Sequence, residues 1–105
     1  MDYLKFCVES TITVRDAMRQ LDKTAKKILF VLKDRKLSGA LTDGDVRRYL
    51  LAGGKMDDTV DRAANHHPVT ASSREQAEEL LNSNGYIALP VVNMQGELVD
   101  VIFKD

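Results

Sequence analysis

Gly39-Ala40-Leu41-Thr42-Asp43-Gly44-Asp45-Val46-Arg47-Arg48 is the stretch on which the reading of this chain turns. Leu37 to Leu41 reads as a short strand, while Val46, Tyr49, Leu50 and Leu51 recur at the spacing of one helix face. A strand therefore runs into a helix, with Thr42 and Asp45 on the first turn. Backbone N–H groups there lack intrahelical acceptors, and the helix dipole favours anions. A hydroxyl, a carboxylate and open amides at one helix start are suited to the phosphate and ribose of a nucleotide. The same residues also fit a simpler pattern. Thr-x-x-Asp is close to a capping box, whose two side chains satisfy each other's amides without any ligand. Gly44 pulls the other way: a glycine costs a helix roughly 1 kcal/mol against alanine, so its place in the first turn suggests close approach by another group. Arg47 and Arg48 bring positive charge to the same turn, or are simply solvated.

Outward from this stretch the chain nearly repeats itself. Ile12-Thr13-Val14 reads as a short extended segment, followed by a helix with Ala17, Met18 and Leu21 on one face. Ile28 to Leu32 is a buried-type strand, Lys33 to Lys36 a tight turn, and Leu37 to Leu41 the hairpin partner. The helix from Asp43 stops at Gly53-Gly54. A polar bridge with a short helix near Thr59 to Ala64 follows, and the order then returns. Val69 to Ala71 is extended, and Ser73 to Asn82 is helical with Ala77, Leu80 and Leu81 inward. Asn84-Gly85 is a stop, Ala88 to Val92 a strand, Asn93 to Gly96 a turn, and Leu98 to Phe103 a second hairpin strand. Pro90 within that third strand requires its missing amide to face away from a ladder partner. Val31-Leu32 falls on Val91-Val92, and Leu37 falls on Leu98. Each half is thus β-α-β-β-α, and neither can bury its sheet alone.

Composition excludes several function classes. The chain has 105 residues, 44% hydrophobic and 30% charged, with 15 Lys plus Arg against 16 Asp plus Glu. That balance gives no general attraction to nucleic acid or to a membrane surface. No apolar run approaches the ~20 residues of a membrane helix, and the N-terminus lacks a secretory pattern. The single cysteine, Cys7, has no partner for an internal disulfide, so a cytoplasmic location is expected. Adjacent His66-His67 lack chelating spacing, and Asp57, Asp58 and Asp61 lack the order of a calcium loop, so no metal is expected. No nucleophile motif or Gly-Lys phosphate loop occurs, which leaves no catalytic residues to name.

The repeat, together with Gly39-Ala40-Leu41-Thr42-Asp43-Gly44-Asp45, Ala88-Leu89-Pro90-Val91-Val92 and Pro68-Val69-Thr70, resembles a tandem pair of CBS (cystathionine-β-synthase) domains over essentially the whole chain. The resemblance implies an α/β (α+β) module of two pseudo-symmetric β-α-β-β-α repeats packed together, residues 1–54 and 55–105. In its terms Asp45 meets ribose hydroxyls and Thr42 a phosphate. Tyr86, Ile87, Ala88 and Asn65, with the segment from Asp61, supply a base pocket from the other half. Lys27 reaches phosphate, or is a solvated lysine. The second half departs from the pattern: Phe103 replaces the threonine, Asp105 falls one position short of the aspartate, and the final helix is missing. Phenylalanine cannot hydrogen-bond a phosphate, so one nucleotide per chain at most is expected, in a piece of a longer polypeptide.

Thr42 to Leu51 followed by Gly53-Gly54 is similar to CBS pairs attached to sugar-phosphate enzymes. Two parents share it: nucleotidyltransferases of the mannose-1-phosphate guanylyltransferase kind, with the pair at the N-terminus, and arabinose-5-phosphate isomerases, with the pair at the C-terminus. The position of the module close to Met1 favours the first. The resemblance implies a regulatory module with no turnover of its own, a homodimer, and an attached catalytic domain. No cofactor is required; AMP, ADP, ATP or S-adenosylmethionine is the expected regulatory ligand. An architectural dimerisation module with an empty cleft is the alternative.

Overall fold

Two apolar runs buried on both faces, Ile28 to Val31 and Ala88 to Val91, organise the fold. The computed structural model describes residues 3–104; Asp105 and the position close to Met1 lie outside them. A single 3-10 turn, Leu4–Phe6, leads into β1 (Cys7–Glu9), α1 (Val14–Lys23), β2 (Ile28–Lys33), β3 (Lys36–Thr42) and α2 (Asp43–Leu51). A second 3-10 turn, Val60–Arg62, precedes α3 (Arg74–Ser83), β4 (Ala88–Val92) and β5 (Leu98–Phe103). β1, β2 and β3 form one sheet and β4 and β5 another.

Both hairpins have the same construction. β2 and β3 are antiparallel, with Val31 opposite Gly39 and Leu32 opposite Leu37, which leaves Ser38 as the extra residue of a bulge. β4 and β5 repeat this with Val91 opposite Asp100 and Val92 opposite Leu98, leaving Val99 over. Their turns differ. Asp34 and Arg35 both have positive φ, +53° and +70°, as a two-residue turn with the strands' own twist requires. Gly96 at φ +82° closes the other, where the Asn93 side chain accepts from the amides of Gln95 and Glu97. The two hairpin tips join, with the Leu37 amide donating to Gly96 and the Leu98 amide to Arg35.

Period-two alternation sends the residues of β2 and β4 to two faces, and both faces are buried. Leu29, Val31 and Leu41 pack with Val14, Ala17, Leu21 and Val46 under α1 and α2. Their neighbours Ile28, Phe30 and Ala40 face the other way, onto Ala88 and Val101 of the second sheet. Leu89, Val91 and Ile102 pack beneath Ala77 and Leu81 of α3. The layers run helices, sheet, sheet, helix. Pro90 is compatible with its buried place because its carbonyl accepts the Ala71 amide and the next bond comes from the Val92 amide, so no amide is needed at residue 90.

Three expectations shift. Ile12-Thr13-Val14 is not a sheet strand: Thr13 caps α1 by accepting the Asp16 amide at 3.1 Å, and Val14 is already helical. The parallel strand is Cys7–Glu9 instead, opposite Phe30 to Leu32, and three residues were too few to show alternation. The helix near Thr59 to Ala64 contracts to one turn, and of Val69 to Ala71 only Ala71 bridges to Val91.

α2 ends in a Schellman motif: the Gly54 amide reaches Tyr49 at 3.0 Å, the Gly53 amide reaches Leu50 at 3.1 Å, and Gly53 has φ +102°. The Tyr49 ring lies on Gly54, where a Cβ would stand 2.2 Å from it. Its hydroxyl donates to the Asp58 carboxylate, which also accepts the Lys55 amide. The tyrosine bond and then the Lys55 amide hold the Asp58 carboxyl below its ordinary range, and the same bond to Asp58 raises the Tyr49 phenol above its own. A lowered carboxylate stabilises the fold above its unfolded pKa, and a raised phenol does so below its unfolded pKa. Tyr49→Phe is therefore expected to lower the urea midpoint throughout about pH 5–9. The gap to wild type should shrink as pH falls below about 4 and as it rises past about 10.

Candidate functional site

Thr42 closes β3 opposite Ile28 and, with φ −119° and ψ 169°, serves as N-cap of α2. The capping box expected as the simpler reading is fully formed. Thr42 Oγ1 accepts the Asp45 amide at 3.2 Å, and Asp45 Oδ2 accepts the Thr42 amide at 2.9 Å and the Thr42 hydroxyl at 3.0 Å. Arg48 donates to Asp45 Oδ1 at 2.8 Å. A carboxylate offers about four lone-pair positions, so these three bonds leave one open. The arginine is exposed and the aspartate largely covered, with side-chain exposures of 65% and 18%; release of Arg48 frees a second position. The nearest atoms to a Cβ at Gly44 belong to the flexible Arg48 guanidinium, 3.2 Å away, so no distant segment crowds it closely.

Close backbone approach is required instead in β3, at Gly39. A Cβ there would lie 2.7 Å from the Asn65 carbonyl. The approach lets Ala40 and Asn65 exchange amide bonds of 2.9 and 2.8 Å, which lays the segment after Val60–Arg62 along β3. Asn65 then turns the chain, its side-chain oxygen accepting the His67 amide at 3.0 Å.

These constraints frame a half-open cavity of about 200 Å³. Thr42 and Asp45 line one part, and Asn65 and His67 another; Tyr86 and Ala88 come from the start of β4. Ile28, Phe30, Ala40 and Leu89 form apolar wall, and Pro68, Val69 and Pro90 complete it. Of the residues singled out in the sequence, Thr42, Asp45, Asn65, Tyr86 and Ala88 meet here. Lys27 and Ile87 do not. Lys27, at φ +56°, sends its amine to 3.5 Å from the Leu21 carbonyl, and Ile87 is 46% exposed on the outer surface. His67, Pro68 and Val69 carry no local signal for this cavity; the Ala40–Asn65 pairing brings them opposite α2.

The corresponding place in the second half is filled. Phe103 stands opposite Ala88 as Thr42 stands opposite Ile28, and its ring packs on Phe6 at 4.5 Å between centroids. Lys26 lies over Phe103 at 5.8 Å, its amine 3.4 Å from the Lys104 carbonyl. A hydrocarbon cluster with Tyr3, Cys7 and Leu98 at its edge occupies this position.

Residues 5–52 match the family model of the CBS domain. An arabinose 5-phosphate isomerase, GutQ of Escherichia coli O6:H1, is 35% identical over 99 residues, covering 90% of this chain and 31% of the isomerase. The chain thus spans about a third of the curated relatives it matches. A CBS domain protein from Streptococcus pneumoniae superposes with TM-score 0.80 at 18% identity, covering 93% of this chain and 69% of that one. A CBS domain protein from Pyrobaculum aerophilum complexed with AMP gives 0.70 at 21% identity, over 92% and 78%. The fold is the CBS fold.

The close approach at Gly39 is directly testable. Gly39→Ala is expected to cost about 1–3 kcal/mol, as overpacking against immobile backbone does, read as a lower chemical-denaturation midpoint. Gly85→Ala, where a Cβ meets nothing within 4 Å, should stay within about 0.5 kcal/mol of wild type.

Proposed function

We propose that the chain is a regulatory, non-catalytic module that binds an adenosine-type nucleotide in the cavity at the start of α2. The observation that carries this reading is the meeting of Thr42 and Asp45 with Asn65, Tyr86 and Ala88 around one half-open cavity. Asp45 would take a ribose hydroxyl on its open lone pair, and the Thr42 hydroxyl would turn from Asp45 to a phosphate oxygen. The apolar strand residues and Tyr86 would hold the base. At about 200 Å³ the cavity is smaller than the ~300–1,000 Å³ of typical ligand sites, so the phosphate would extend through its mouth. The AMP-bound Pyrobaculum aerophilum structure supports adenosine nucleotides as the class to test. Residues 1–54 and 55–105 would be the two CBS repeats, with a single working cleft because Phe103 and Phe6 fill the other. Leu51, 76% exposed beyond half-buried Tyr49 and Leu50 on α2, supports a homodimer through that helix.

The attached catalytic domain would be a sugar-phosphate enzyme. A nucleotidyltransferase follows from the resemblance of residues 42–54. The isomerase alternative has a specific observation in its favour, the 35% identity to GutQ.

The decisive experiment is a thermal-shift series with AMP, ADP, ATP, S-adenosylmethionine, and guanine and cytidine nucleotides. Saturation at 100 times Kd should add about 2.7 kcal/mol, which raises Tm by roughly 10 °C in a domain this small. Asp45→Ala should remove the shift and also lower basal stability by about 0.5–2 kcal/mol through the lost cap. Thr42→Val should weaken AMP more than adenosine. A wild-type curve that none of these ligands moves would refute the sensor and favour the architectural module.

A further inference from the structure

Arg48 covers part of the carboxylate that the proposed nucleotide needs. Its Nη2 donates to Asp45 Oδ1 at 2.8 Å, while Oδ2 of the same group accepts the Thr42 amide and hydroxyl at 2.9 and 3.0 Å. Asp45 and Thr42 line the cavity, and the exposed arginine stands just outside it. Gly44 provides the seat. A Cβ at residue 44 would lie 3.2 and 3.5 Å from the two terminal guanidinium nitrogens, so a glycine in the first turn lets the arginine fold back over the helix start. The carboxylate alone separates the guanidinium from the Thr42 hydroxyl.

We propose that Arg48 makes this site select a nucleotide over its nucleoside, by passing its guanidinium from Asp45 to the phosphate; this rests on the nucleotide reading of the cavity. A ribose presents two vicinal hydroxyls, and each needs an acceptor. With Arg48 in place Asp45 has one lone-pair position open, so the second hydroxyl binds only as the arginine leaves. For a bare nucleoside, that release replaces an ion pair with water. For a nucleotide, the freed guanidinium meets a phosphate at Thr42 and forms a charge-assisted, often bidentate pair. One side chain therefore opposes the ribose and favours the phosphate, and its release is compensated only in ligands that carry both. A 2′-deoxynucleoside has one hydroxyl to place and leaves the ion pair intact. Arg47, also exposed, lies about 100° round the helix and takes no part.

The test measures Kd for AMP, adenosine and 2′-deoxyadenosine with wild type, Arg48→Met and Arg47→Met, the last a control for the lost charge. An exposed ion pair contributes little to stability, so the urea midpoint of Arg48→Met should stay near that of wild type. In Arg48→Met, AMP should bind at least about tenfold more weakly, adenosine about two- to fivefold more tightly, and 2′-deoxyadenosine with an unchanged Kd. Arg47→Met should weaken AMP by less than about twofold, since salt screens an exposed charge that makes no contact. Equal changes for AMP and adenosine, or a loss for AMP with no gain for adenosine, overturn the exchange and leave the nucleotide reading standing. So does a gain for 2′-deoxyadenosine as large as that for adenosine, or an AMP loss that Arg47→Met matches. Wild type that binds neither AMP nor adenosine overturns the nucleotide reading, and the exchange with it.

Discussion

Two small sheets that are apolar on both faces impose the constraint from which the rest of this structure follows. Leu29, Val31 and Leu41 are covered by α1 and α2, but Phe30 and Ala40 on the reverse face would meet water if the first half stood alone. Ala88 and Val101 of the second sheet remove that exposure. Burial of a phenylalanine is worth about 1.5–3 kcal/mol, so the shared layer, rather than either half, makes the fold viable. The matching bulges at Ser38 and Val99 and the joined hairpin tips follow from stacking two copies of one supersecondary unit.

Stacking obliges the chain between α2 and α3 to cross from one sheet to the other with little regular structure of its own. It is pinned at separate points. Asp58 receives Tyr49, its carbonyl accepts the Val14 amide, the Val60 amide reaches Ile12, Asn65 pairs with Ala40, and Ala71 joins Val91. At Gly39 this path lies hard against the sheet, and a side chain there would collide with backbone. The cavity is a product of that path, since Asn65, His67, Pro68 and Val69 are brought opposite the start of α2 by it.

At the start of α2 the needs of the fold and of the proposed ligand fall on the same atoms. The capping box and Arg48 occupy three positions of the Asp45 carboxylate, and the cavity touches what remains. A side chain already held by its own helix is preorganised for a partner, which lowers the entropy that binding would cost. The two halves have diverged here: a threonine at one register position faces open space, and a half-buried phenylalanine at the other packs against Phe6.

The sequence by itself determined the places of α1, α2 and α3, the two hairpins and their shared register, the glycine stop after α2, and the Thr42–Asp45 turn. Each rests on local physics: apolar periodicity, left-handed glycine, and the unsatisfied amides of a first helical turn. Tertiary structure alone decided the remainder. Cys7–Glu9 is a strand only because β2 offers it an edge, and Ile12 to Val14 yields to the Thr13 cap. Lys27 and Ile87 adjoin cavity-lining residues in sequence, yet the left-handed backbone at Lys27 and the outward face at Ile87 carry them away. His66 and His67, unremarkable as adjacent histidines, acquire distinct settings from a bulge carbonyl and a cavity wall contributed by residues far away in the chain. Contacts between distant segments depend on how the sheets stack, and no local pattern encodes that.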